Sequence, residues 1–173
     1  GVMNRHGIPC PSSSAKLMGH SLNWPTDLKE VLVNEFWGGC PMPPLSDYLA
    51  EHRPYFTWKE LKAWVAAGHG VGLHTRTHPL CSKLSRCEIE DEIYAPAQEL
   101  RSRLELSFLP FSYPFGDRMN VSTETQLVDD NVVDCMLGVR APTRRGAAVN
   151  RIERAGAEKI GVGWPVFGKQ FFA

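Results

Sequence analysis

The sequence predicts an α/β fold built on a parallel sheet, and three observations carry that expectation. Helical and strand patterns alternate along the chain from residue 57. Two capping boxes, Thr57-Trp58-Lys59-Glu60 and Ser85-Arg86-Cys87-Glu88, mark helix starts. Short apolar runs follow the helices after brief links, an order that implies parallel strands in either a doubly wound sheet or a barrel. The 173 residues amount to one domain, at roughly 150 residues per domain. Nineteen basic residues balance nineteen acidic ones, so the net charge is zero, which argues against a nucleic-acid binder driven by phosphate neutralisation. No apolar run approaches the ~18–20 residues of a membrane-spanning helix. No secretory signal opens the chain, and the cell envelope and the cytoplasm both stay open as compartments.

Taken in order, Gly1-Val2-Met3-Asn4-Arg5-His6-Gly7 reads as the end of a helix. Thr26 to Phe36 carries Leu28, Val31 and Leu32 in a short helical pattern. Gly38, Gly39, Pro41, Pro43, Pro44 and Pro54 then punctuate what reads as a loop excursion. A helix is expected over about 58–67, with Leu61, Trp64 and Val65 as its apolar stripe, Trp58 and Trp64 packing on the core face, and Gly68 as a left-handed cap. Gly70 to His74 is small and apolar enough for a buried strand. The second capping box opens a helix through Leu104 that Pro96 should kink. Phe108 to Tyr113 reads as the next strand, and Ser122 to Asp130 as a helix capped by Asn131. Val132 to Leu137 and Val149 to Ile152 complete the strands. The five cysteines form no CxxC and read as free, mostly buried thiols.

Chemistry is expected at the C-terminal ends of the strands. There the chain places His74-Thr75-Arg76-Thr77-His78-Pro79, two imidazoles four residues apart in a strand-end loop that can aim both at one point, as zinc or a similar ion requires. Phe111-Ser112-Tyr113-Pro114-Phe115-Gly116 ends the next strand, and a turn fixed by Pro114 and Gly116 can offer a backbone amide to a developing oxyanion. Trp24 and Trp37, in the loop-rich region, could stack on sugar rings or pack in the core.

With their flanking helices, these two motifs resemble the polysaccharide deacetylase family, carbohydrate esterase family 4, of the chitooligosaccharide deacetylase kind. The resemblance is clearest over residues 56–116. It implies a distorted (β/α) barrel of about seven strands, present here in partial form, and removal of N-acetyl or O-acetyl groups from a polysaccharide or oligosaccharide. It also implies a zinc or other divalent ion held by two His and one Asp. His74 and His78 take the imidazole positions. The Phe115 amide falls at the oxyanion pocket, with Tyr113 in the same turn, and Pro114 and Trp37 fall to substrate contact. Arg151 could orient a carboxylate of the site. The chemistry is coherent: an amide carbonyl is a poor electrophile, a metal polarises it and lowers the pKa of the attacking water towards ~7, and a carboxylate takes the proton.

The chain departs from the family pattern in three places. The acidic motif Thr-Phe-Asp-Asp-Gly, which supplies the base and the third metal ligand, is absent and is expected upstream of Gly1 together with the first strand. The second strand position, Cys10 to Ser14, is polar and broken by Pro11. No Leu-x-His supplies a general acid near the C-terminus, and His20 is only loosely placed as a substitute. The chain is therefore expected to be a truncated, weakly active or inactive single domain. A degenerate relative that binds a glycan or a protein without turnover is the alternative. A structural zinc site of His74, His78, Cys81 and Cys87 is a third possibility on spacing alone.

Overall fold

Local capping chemistry sets most helix boundaries in the computed structural model, which describes residues 1–21, 24–139 and 150–153. The chain forms two compact units, Gly1–Ala67 and Gly68–Ala173.

The first unit is helical: α1 (Val2–Arg5), α2 (Ser14–Ser21), α3 (Thr26–Gly38), α4 (Leu45–His52) and α5 (Trp58–Ala66). The helix end read at the start of the chain is α1, closed by Gly7 at φ 66°. Two helices were not foreseen. The polar stretch expected near a second strand leads into α2, and α4 lies inside the expected loop. Pro44, in extended conformation, immediately precedes Leu45, so the proline that signals a loop also sets up a helix start. Among the described residues Met3 and Leu32 are the buried apolar ones here, and Glu35 on α3 accepts from Arg5 (2.6 Å) and contacts His6 (2.9 Å). His6 and His52 thus have partners that the sequence did not indicate, His52 stacking on Tyr48 with 4.0 Å between ring centroids. The Thr57–Glu60 capping box forms as expected. The core face assigned to Trp58 and Trp64 does not: α5 buries no residue, and Trp64 is 44% exposed against Phe56.

The second unit carries the sheet. Gly68 takes φ 87°, the left-handed cap expected after α5. The strand expected at residues 70–74 is reduced to one parallel bridge, Leu73 to Phe111. Gly72 allows that approach, since a Cβ there would lie 3.0 Å from the Pro110 carbonyl oxygen. The Ser85–Glu88 box opens α6 (Arg86–Ile89), a π-turn follows over Glu90–Tyr94, and α7 (Ala95–Leu104) continues. Pro96 interrupts the α-register, as expected, but the chain absorbs it by widening one turn: the Ala95 amide bonds the Glu90 carbonyl, five residues back.

Three parallel strands follow, β1 (Pro110–Ser112), β2 (Cys135–Gly138) and β3 (Arg151–Glu153), with α8 (Val121–Asp129) between the first two. They are shorter than the apolar runs suggested. Val132 and Val133 fall out of β2 because their amides bond the Leu127 carbonyl and finish the helix end, with Asn131 left-handed as expected. Val149 lies outside the described residues. Mixed helix and parallel sheet agree with the α/β expectation. Leu73, Ile93, Leu109, Phe111, Leu127 and Met136 are the heart of the core between sheet and helices. Cys81 and Cys135 are buried, whereas Cys10, Cys40 and Cys87 are exposed free thiols, so the expectation of mostly buried cysteines holds for two of five. No helix among the described residues is long and apolar enough to cross a membrane.

Candidate active site

The Leu73–Phe111 bridge sets two chain segments side by side just where both leave the sheet. One continues as the His74–His78 loop, the other as the Tyr113–Gly116 turn. Ser112 links them: its carbonyl lies 2.8 Å from His74 Nδ1, and its hydroxyl 2.9 Å. A carbonyl only accepts, so Nδ1 donates to it, which leaves Nε2 as the ring's other nitrogen, turned towards His78. His78 Nε2 stands 3.1 Å from His74 Nε2, and both rings are exposed.

The loop between them is not helical. Thr75 and His78 both have positive φ (61° and 62°), and the Thr75 hydroxyl bridges its ends, donating to the His74 carbonyl and accepting from the His78 amide. Glu92, buried in the π-turn, accepts from the Arg76 and Thr77 amides and the Thr77 hydroxyl.

In the neighbouring turn Phe115 takes φ 56°, and its ring, 55% exposed, stands edge-on to His78 at 4.5 Å. The turn's own hydrogen bonds use the Gly116 and Asp117 amides. Gly116 has φ 67°, and a Cβ there would lie 2.2 Å from Val139 Cγ2, so only glycine fits. Pro114 is buried. Tyr113 faces inward, away from the exposed imidazoles: its hydroxyl donates to Glu124 Oε1 at 2.6 Å. Glu124, 2% exposed, also pairs with Arg118 (2.9 Å) and Arg151, and Arg118 reaches on to Glu153 (2.7 Å). Burial pushes the Tyr113 phenol pKa up and the Glu124 hydrogen bond adds to it, so the hydroxyl stays a donor. Burial would raise Glu124 as well, but the Arg118 and Tyr113 hydrogen bonds and the Arg118 and Arg151 charges outweigh it and hold the carboxyl below its ordinary value. Arg151 is thus tied to Glu124.

Trp37 belongs to the first unit; its indole N–H donates to the Pro43 carbonyl (2.8 Å), and its ring meets Tyr48 edge-on. The four-ligand zinc site is not formed. Cys81 is buried in the core, whereas Cys87 is exposed on α6, and they do not gather with His74 and His78. Among the described residues no group of three His, Cys, Asp or Glu could hold a metal.

A family profile described as Polysaccharide deacetylase matches residues 43–132, just over half of the chain and inclusive of both motifs. The chain belongs to the polysaccharide deacetylase family. No curated protein and no solved structure matches it. Membership points to a hydrolase acting on acetyl groups of a glycan, in a family that is generally metal-dependent. The residues that sequence reasoning missed around these motifs are Glu92, Glu124 and Arg118. Each lies beside apolar positions in a helix or turn, where a charged residue ordinarily faces water, and only burial separates them from the many surface charges.

Proposed function

We propose that this polysaccharide deacetylase removes N-acetyl or O-acetyl groups from a glycan at a divalent-metal centre, with His74 and His78 as its two imidazole ligands. The observation that carries the reading is the approach of the two Nε2 atoms to 3.1 Å on an exposed strand-end loop. Two nitrogens on one tetrahedral zinc lie about 3.3 Å apart, given a Zn–N bond of about 2.05 Å, so the donor pair fits such an ion in identity and spacing. The Ser112 carbonyl supports it by fixing the His74 tautomer, the usual outer-shell partner of a ligating histidine. When bound, a divalent ion supplies Lewis-acid polarisation of the acetyl carbonyl and lowers the pKa of water towards ~7.

The chain's own residues supply the rest. The Phe115 amide, in the left-handed turn beside His78, donates to the developing oxyanion. Pro114 makes that turn rigid, and the Phe115 ring covers one side of His78 against solvent. Tyr113 acts from below through Glu124, fixing the turn rather than touching the substrate, and Arg151 acts in the same network. Trp37, half-buried against Tyr48, offers the open part of its ring to a sugar. In the family the carboxylate base and third ligand come from an acidic motif that residues 1–173 do not contain. The order Leu73, β1, β2, β3, all parallel and in chain order, supports a partial (β/α) barrel. The family match, which runs through both compact units, supports one domain.

The test is zinc titration together with acetate release from acetylated chitooligosaccharides. His74→Ala and His78→Ala are each expected to lower zinc affinity at least tenfold and to abolish any turnover, with the fold kept. Unchanged zinc affinity in both variants would sink the metal-site reading. A second reading, a glycan-binding relative without turnover, is favoured by the donor set of two among the described residues. Saturable glycan binding with no acetate released at saturating zinc decides for it.

A further inference from the structure

The His74–His78 loop cannot hold its shape by local bonding alone. Two non-glycine residues, Thr75 and His78, sit in the left-handed region, which a β-branched threonine adopts only against steric resistance. The Thr75 hydroxyl ties the loop ends, but Arg76 and Thr77 at its tip would be left with unpaired amides. Both amides point at a single oxygen, Glu92 Oε2, at 2.9 and 2.8 Å, while Oε1 takes the Thr77 hydroxyl at 2.5 Å. Charge-assisted bonds of this kind are about twice as strong as neutral ones. Glu92 is itself only 7% exposed, and its buried charge is met by these three donors from one loop. It can be there because of the π-turn. The extra residue ahead of Pro96 lets consecutive Glu92 and Ile93 both face inward, Ile93 into the core and Glu92 under the loop.

We propose that Glu92 is a positioning residue whose carboxylate holds the tip of the His74–His78 loop and thereby makes the two imidazoles converge. Its functional meaning rests on the metal-site reading above; its geometry does not. Glu92→Leu is the sharp variant, because it removes both acceptor oxygens at a similar side-chain size; a glutamine could keep the bonds, its oxygen on the two amides and its N–H₂ on the Thr77 hydroxyl, which can accept. Thr77→Val removes one of the three bonds and serves as the milder variant should Glu92→Leu fail to fold.

The readout is made first on the metal-free protein, by NMR. Close approach of the rings gives a nuclear Overhauser contact between His74 and His78, and the Arg76 and Thr77 amides are protected from exchange. In Glu92→Leu both signatures are expected to vanish while the core resonances of Phe111 and Leu127 stay in place; in Thr77→Val they weaken. Zinc titration follows, with affinity expected to fall roughly tenfold or more in Glu92→Leu and about threefold in Thr77→Val. A ring contact retained in a folded Glu92→Leu, or undiminished in Thr77→Val if that is the only variant that folds, overturns the proposal, as does its absence from the wild-type protein. Loss of the ring contact in a protein whose wild type binds no zinc upholds Glu92 as the loop's anchor and removes the metal-site reading instead. Wild-type zinc affinity in a folded Glu92→Leu removes the positioning role and leaves the metal site standing.

Discussion

Glu124 illustrates how one residue can decide the environment of a whole turn. A carboxylate at 2% exposure is costly unless its charge is met, and here Arg118, Arg151 and the Tyr113 hydroxyl meet it. Removing the charge leaves two guanidiniums facing one another. Glu124→Gln should therefore destabilise the protein by roughly 3 kcal/mol at neutral pH, at the low end for a broken buried pair because the arginines keep partial access to water. Urea unfolding measures it. The pH dependence has a definite sign. The folded-state pKa of Glu124 is depressed, so its contribution is complete above the ordinary carboxylate value of about 4.3 and is lost as the pH falls through the lower folded value. The stability gap between wild type and Glu124→Gln should then narrow on acidification below about pH 4; a gap independent of pH would contradict the assignment of charge to Glu124.

At the scale of single elements, the capping signals were the most reliable part of the sequence. Both Ser/Thr-x-x-Glu boxes formed at the predicted residues, because their hydrogen bonds close within three positions and need no tertiary partner. Asn120 is a cap of the same kind at α8: its side chain accepts from the Thr123 amide at 2.9 Å and from the Ser122 hydroxyl at 2.6 Å. Asn120→Ala should cost about 1 kcal/mol, read as a lowered thermal midpoint, with zinc binding unchanged. Prolines were less transparent. Pro44 read as loop, yet it introduces a helix; Pro96 read as a kink, yet it sits after a π-turn. A proline states which amide is missing, and the neighbours decide how the chain accommodates the loss. Strand starts were misplaced by two to three residues for a similar reason. An apolar run shows what can be buried, whereas ladder bonds show what is paired, and the Val132 and Val133 amides were taken by the helix.

For the molecule as a whole, the second unit depends on Phe111, fully buried where the Leu73 bridge, β1 and the helices converge. Phe111→Ala should destabilise by about 3–5 kcal/mol and, by releasing the bridge, separate the histidine loop from the Ser112 turn. Calorimetry and the His74–Ser112 proximity seen by NMR check both halves. The sequence by itself determined the alternation of helix and parallel strand, the caps, and the two motifs that mark the polysaccharide deacetylase family, since all of these are written in residues within one turn or one strand of each other. What only the tertiary structure decided was which charges are inside. Glu92 lies 15 to 16 residues from the loop it bonds, and Glu124 lies 27 from Arg151, separations at which no periodicity links two residues. Their roles appear only when the helices pack on the sheet and exclude water, because burial is what turns an ordinary surface carboxylate into one that must be answered by fixed donors.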